Sequence, residues 1–336
     1  MLKPNKPDIF LLLIAAILVL LNSCRQPLSK DEAETHLRAF DNEIITLSKG
    51  LEHSRTFTIL KEILAVENVP VPFYAHKSTL QASTSSATGI QRFDFDQHKG
   101  QYVLDTITKL FIRSGTSDSI IIHYDWKVDK IMPVRLIITN YTEEASSSSL
   151  MFPTSFAAAM YVGEFLAVSI EHEARLEHQL PVEAHLRLKL ENYLLLMDMN
   201  TRLRKDHGKL KMAVKVSKDS KELASWKVKS NINMTEQGTF FFRSINSQFA
   251  MFPVQIDADI DNDAIDGNTV DYIGEFNKHS RMVASRIRDG RKLGEIKLRT
   301  REASDKLDYV FYYSDGSYMY IEDLLFSAKH LLNIKK

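Results

Sequence analysis

Residues 182–191, VEAHLRLKLE, alternate without a break: Val182, Ala184, Leu186, Leu188 and Leu190 hold one parity, and Glu183, His185, Arg187, Lys189 and Glu191 the other. A period of two puts every apolar side chain on one face of a pleated strand, whereas a helix would smear both sets around its circumference. The stretch therefore predicts an antiparallel strand with one face on a core and one in water.

The same pattern recurs downstream. Leu210, Met212, Val214 and Val216 alternate with Lys209, Lys211, Ala213, Lys215 and Ser217. Ala224, Trp226 and Val228 alternate with Ser225, Lys227 and Lys229, and Val254, Ile256, Ala258 and Ile260 with Gln255, Asp257, Asp259 and Asp261. Shared faces set the register of the Lys209–Ser230 hairpin: Val216 opposite Ala224, Val214 opposite Trp226, Met212 opposite Val228, and Lys211 opposite Lys229. That parity predicts a loop of three or five residues around Ser220. Upstream, strands are expected near Ile90–Phe95, Gln101–Leu104, Ser119–Tyr124, Val134–Tyr141, Phe156–Val162 and Glu164–His172, with a loop at Ser146–Ser149.

The N-terminal portion reads differently. Ser29-Lys30-Asp31-Glu32 is a capping box, followed by Ala33, Leu37, Phe40, Ile44 and Leu47 at helical spacing and by Gly50 as a stop signal. A second helix is expected from about Arg55 to Ala65, presenting Phe57, Leu60, Ile63 and Leu64 and ended by Pro70 and Pro72; Gln81–Thr88 reads as a linker. Near the C terminus, Asn268 is expected to cap a short helix carrying Val270, Ile273 and Phe276. Two hairpins should follow, with type I′ turns at Asp289-Gly290 and Asp315-Gly316. The second turn would pair Tyr313 with Tyr318 and Phe311 with Tyr320, setting Tyr309, Phe311, Tyr313, Tyr318 and Tyr320 on one face. A last amphipathic helix is expected over Glu322–Ile334. Runs of helices followed by runs of strands make the chain α+β: an N-terminal helical pair, an antiparallel β-rich body (sandwich-like or a curved sheet), and C-terminal hairpins and helix.

Lys3 and Lys6 precede thirteen apolar residues, Ile9–Leu21, and then Asn22-Ser23-Cys24. Thirteen residues are too few for a bilayer, which takes about 20, but suit the apolar region of a secretory signal peptide. Leu21-Asn22-Ser23-Cys24 resembles the lipobox of bacterial lipoproteins, with Asn22 a less usual residue at its position. That resemblance implies a diacylglycerol on the Cys24 thiol and an acyl chain on its freed amine, two signals that together anchor firmly. It also implies an envelope location in the outer membrane, facing the periplasm or the cell surface. The expected organisation is 1–23 signal peptide, 24–88 tether, helical pair and linker, 89–236 antiparallel β domain, and 237–336 an α+β domain or a continuation of the same sheet. Lys30-Asp31-Glu32 also resembles a surface-export tag, but it lies farther from Cys24 than such tags do; helix capping is the reading kept.

Composition narrows the partners. Apolar and charged fractions of 44% and 26% are those of a folded protein. Basic and acidic residues number 43 each; removing 1–23 takes Lys3, Lys6 and Asp8, leaving 41 against 42, so nucleic-acid binding is set aside. Cys24 is the one cysteine, so a disulfide framework is excluded and stability must come from a core.

Several segments together resemble a family of uncharacterised, strand-rich lipoproteins from Bacteroidota: Gly100-Gln101-Tyr102, Arg135–Thr142 (RLIITNYT), Phe152–Ala157 (FPTSFA), Lys189–Leu194 (KLENYL) and Tyr313–Ser317 (YSDGS). The resemblance spans about residues 100–320 and implies a two-layer envelope lipoprotein, with no activity to carry over.

Asp257, Asp259 and Asp261 match the opening ligands of a calcium loop, but Asn262 stands where the turn glycine belongs and Asn268 where the bidentate glutamate belongs. A solvated strand edge fits them better. His172, Glu173 and His178 miss zincin spacing, and His185 adds only a third surface histidine. There is no nucleophile elbow and no glycine-rich phosphate loop. The C-terminal aromatics fit a hairpin core better than a sugar platform. Lys209, Lys211, Lys215, Lys227 and Lys229 could meet anionic headgroups, with Lys211, Lys227 and Lys229 the candidate binding residues, against the plainer reading of a solvated face. The reading is a lipid-anchored, non-enzymatic binding or scaffolding module with no metal or diffusible cofactor. Its rivals are a carrier of lipid or another apolar ligand in a curved-sheet groove, and an envelope hydrolase.

Overall fold

The computed structural model describes residues 26–72, 92–127, 131–146, 151–205, 207–234, 240–267, 269–301 and 306–327. The fold is α+β, with curved, mostly antiparallel sheet as its main component. Cys24, the linker Gln81–Thr88 and most of the Ser146–Ser149 loop lie outside the described residues. The backbone forms two compact units, one of residues 46–247 and one joining residues 1–45 to 248–336. The first helical turns thus group with the C-terminal strands. The reason is local bonding: the Leu28 amide donates to Lys292 O at 2.9 Å, and the Ser314 hydroxyl donates to Leu28 O at 2.7 Å.

Helix α1 covers Lys30–Glu52 and opens with the expected box: the Glu32 amide donates to Ser29 Oγ at 3.4 Å, and the Glu32 carboxylate accepts from the Ser29 amide at 3.1 Å. It does not stop at Gly50. A Cβ there would lie 2.6 Å from the Tyr193 hydroxyl, so Gly50 is a contact point inside the helix and not its end. Helix α2, Arg55–Leu64, is capped by the Ser54 side chain and by the Glu191 carboxylate, which accepts from the Thr56 amide and hydroxyl at 3.1 and 2.6 Å. Its buried stripe is Thr56, Ile59 and Ile63; Phe57, expected inward, faces solvent.

In the larger unit, β1 (Gly100–Leu104), β2 (Phe111–Gly115) and β3 (Ile120–Lys127) lie in the order β3-β1-β2, with β1 and β3 parallel. Next comes an antiparallel meander: β4 (Ile131–Ala145), β5 (Met151–Val162), β6 (Phe165–Glu177), β7 (Leu180–Leu190), β8 (Tyr193–Arg204), β9 (His207–Lys218) and β10 (Lys221–Met234). The boundary between units falls within β11 (Phe240–Met251). The core packs Ile59 and Ile63 of α2 with Ile120, Ile122, Val134, Ile138, Phe156 and Met160 of β3–β5. Of the expected strand Ile90–Phe95, the described residues 92–95 are not extended into a ladder. Asp94 caps a single turn, α3 (Phe95–His98), accepting from the Gln97 amide at 3.0 Å. Asn68 completes the edge of β2, donating to Phe111 O and accepting from the Phe111 amide, both at 2.8 Å. Its carboxamide thus replaces a strand partner for backbone groups that would otherwise be orphaned.

The β9–β10 register is the expected one, Val214 opposite Trp226 and Lys211 opposite Lys229. The loop is not. Asp219 and Ser220, both at positive φ, make a two-residue turn, and the register shifts between Glu222 and Ala224, where Leu223 forms a β-bulge. One bulge residue changes the parity that an odd loop was expected to change.

In the smaller unit, β12 (Val254–Asp261) is followed by helix α4 (Tyr272–His279), β13 (Ser280–Arg286), β14 (Lys292–Thr300), β15 (Leu307–Tyr313), β16 (Tyr318–Tyr320) and helix α5 (Ile321–Leu324). Asp271, not Asn268, caps α4, accepting from the Gly274 amide at 2.9 Å; Val270 precedes the helix and is exposed, while Phe276 is buried. Neither expected type I′ turn forms. Arg286 and Arg291 close a four-residue loop with Gly290 at φ 69°, and Tyr312 pairs with Tyr318 around a loop with Gly316 at φ 83°. The one-residue slip divides the aromatics: Phe311 and Tyr313 point to one side and are buried, and Tyr312, Tyr318 and Tyr320 point to the other. There Arg299 lies 4.2 Å over Tyr318 and Arg301 4.4 Å over Tyr320. The last helix is interrupted at Leu325. The buried Asp41 carboxylate accepts from the Phe326 and Ser327 amides at 2.8 and 2.9 Å, and the remainder of Glu322–Ile334 lies outside the described residues.

Candidate functional site

The meander from β7 to β10 carries the most unusual surface of the larger unit. Cross-strand pairing lines up three rows of side chains on its apolar face: Ala184, Met199, Met212, Val228; Leu186, Met197, Val214, Trp226; and Leu188, Leu195, Val216, Ala224. At strand and residue spacings of about 4.8 and 3.4 Å, the field is roughly 14 Å on a side. On β3–β5 the same face is buried in the α2 core, but here the leucines, methionines and valines of the middle rows are only half-buried, and Trp226 is 42% exposed. The Trp226 indole N–H donates to Ser247 Oγ at 2.8 Å, so the ring has an apolar body and a satisfied polar tip. The field covers about 200 Å², is contiguous across four strands and is in contact with solvent.

The methionine-rich strand β8 was not expected from the sequence, nor were β2 and β11. Leu194, Leu195 and Leu196 run together, so neither parity is clean, and only the ladder shows Leu195, Met197 and Met199 joining the apolar rows.

The opposite face is polar and divides into two regions. Over β4–β8 there is an open depression of about 520 Å³ lined by Asn140, Ser155, Glu171, Glu173, His185, Arg187 and Asp198. His185 Nδ1 sits 2.8 Å from Asp198 Oδ1, and Nε2 lies 3.4 Å from Glu183 Oε1; the Asp198 bond first, then Glu183, raises the imidazole above its ordinary range. This is acid–base material without a nucleophile. Ser155 is two strands from His185, about 10 Å away, and it receives its hydrogen bond from Asn140 at 2.6 Å. His172 lies 3.0 Å from Pro153 O through Nε2, and His178 sits in the β6–β7 turn at φ 51°, so the three histidines do not converge. No group of three metal-ligating side chains occurs among the described residues.

Over β8–β10 the polar face is cationic. Arg202 opposes Lys209, Lys211 opposes Lys229, and Lys227 follows one row on, all exposed. Lys215 is tied to Glu222 at 3.4 Å.

Asp257, Asp259 and Asp261 lie on one parity of β12, spread along the strand and not wrapped around a point. Asp257 accepts from Gln248 and Gln255 at 2.9 and 2.8 Å. In the core proper, buried Glu143 accepts from the Phe93 amide at 2.6 Å and from the Tyr141 hydroxyl at 2.5 Å; burial, with that bond second, pushes the Tyr141 phenol up. That carboxylate satisfies a loop amide and is a structural element. Among the described helices none is long and apolar enough to cross a membrane. Comparison with family models, curated proteins and solved structures returned no match.

Proposed function

We propose that the chain is a lipid-anchored envelope protein of the Bacteroidota lipoprotein type, attached through Cys24. In this reading its body is a non-enzymatic binding module that holds the acyl part of a lipid against β7–β10. The observation that carries the proposal is the run of half-buried leucine, methionine and valine side chains in the three apolar rows of that face, beside the exposed Trp226. Three methionines among them, Met197, Met199 and Met212, supply flexible, polarisable side chains that adapt to an unbranched chain. Trp226 at the margin has the amphipathic character found where apolar matter meets water. Expected attachment at Cys24 would hold the chain at a membrane, which is a source of acyl chains.

Two experiments test the proposal separately. Cells fed a clickable fatty acid should label the wild type and not Cys24→Ser; equal labelling refutes the anchor. A fatty acid carrying a spin label should quench the fluorescence of the purified full chain, and Trp226→Phe should abolish most of that quenching. Quenching unchanged by Trp226→Phe, or absent from the wild type, refutes the acyl site whatever the outcome at Cys24.

A further inference from the structure

On the far side of the same strands, Arg202, Lys209, Lys211, Lys227 and Lys229 occupy three successive rows of β8, β9 and β10. The spacing of a sheet places them within a field of about 10 by 14 Å. All five are exposed, and among the described residues none has a carboxylate within ion-pair distance. The acids nearest in register are engaged or distant: Asp198 is bonded to His185, and Glu183 lies two strands from Lys211 beside Arg175 and His185. Lys211 directly opposes Lys229, a like-charge cross-strand pair that destabilises the sheet. Five unneutralised cations, two of them in a repulsive pair, are a local cost to folding that an anionic partner would relieve.

We propose that this face docks on a bilayer surface through anionic phospholipid headgroups. The five charges share one face of three neighbouring strands, close enough together to meet several phosphates of a lipid surface at once. Four of the five are lysines, mobile point charges suited to mobile headgroups and not to the bidentate reading of a fixed ligand. The inference stands apart from the acyl site, which lies on the opposite face.

The test uses the full chain mixed with vesicles, with lysine acetylation read residue by residue by mass spectrometry. On vesicles containing phosphatidylglycerol, Lys209, Lys211, Lys227 and Lys229 should acetylate at least about fivefold more slowly than on phosphatidylcholine alone, and protection should fade with added salt. Lys61, Lys109 and Lys127, exposed elsewhere on the same unit, should not distinguish the two vesicles. The triple variant Lys211→Gln/Lys227→Gln/Lys229→Gln should lose the protection of Lys209 while melting at the same temperature or higher, because its repulsive pair is gone. Equal rates on both vesicles, equal protection of the control lysines, or protection that survives the triple variant would each overturn the proposal. So would protection by soluble polyglutamate without protection by vesicles, which would indicate an acidic protein as the partner.

Discussion

Replacing Phe311 with alanine removes the largest fully buried side chain of the smaller unit. Phe311 is 1% exposed, meets Tyr313 edge-on at 5.1 Å, and packs against the backbone of Gly294, where an added Cβ would come within 2.4 Å of the ring. Removing the ring returns roughly 150 Å² of buried apolar area, worth about 4 kcal/mol at about 25 cal/mol per Å². The aromatic pair adds about 1 kcal/mol and partial collapse of the cavity subtracts a similar amount, so a loss of about 3–5 kcal/mol is expected. For a unit of this size each kcal/mol lowers the melting temperature by roughly 4 °C, giving a drop of about 12–20 °C in its calorimetric transition. Tyr309→Ala, on the same strand but 45% exposed, should cost less than about 1 kcal/mol. Equal, small shifts for the two variants would refute the placement of Phe311 in the core.

Three further outcomes follow from particular contacts. Deleting Leu223 removes the bulge and leaves Ala224 opposite Val216, so the full chain should keep its cooperative melt, whereas deleting Lys227 should collapse it by sending every later residue of β10 to the wrong face; equal effects would contradict the register. Gly294→Ala should lower the melting temperature, because the new Cβ would lie 2.3 Å from Tyr312 O, and an unchanged melt would contradict that packing. The raised pKa of His185 means that its bonds to Asp198 and Glu183 stabilise the fold below about pH 6.5 and weaken as pH rises through the folded value. Asp198→Asn should therefore lower the imidazole pKa in an NMR titration, and an unmoved midpoint would refute the pairing.

The strands that sequence alone made legible were those with one wet face. In β7, β9, β10 and β12 polar and apolar residues alternate over most of the strand, so period two is visible without knowledge of neighbours. In β8 the run Leu194–Leu196 hides it, because leucines sit on both faces. Turns were less legible. Asp219-Ser220 carries no glycine, yet both residues adopt positive φ, and Leu223 absorbs the parity that loop length was expected to absorb. Asp315-Gly316 carries the glycine signal, yet the Asp315 carboxylate accepts from the Ser317 amide at 2.9 Å and the loop widens. Gly50 shows the same limit: its neighbour is Tyr193, far away in sequence. For the site, the lysine alternation was visible in residues 209–229, but the opposition of Arg202 to Lys209 and the half-burial of the apolar rows depend on three-dimensional pairing.

Acyl chains are expected to lie on the apolar face of β7–β10. Cells grown with a photoactivatable fatty acid, irradiated, and analysed by peptide mass spectrometry of the purified full chain test it directly. Adducts are predicted on the peptides bearing Leu186, Met197, Met199, Met212, Val214 and Trp226, in addition to the covalent acyl groups on Cys24. Adducts confined to the Cys24 peptide, or spread over the lysine face and not the apolar rows, would contradict it.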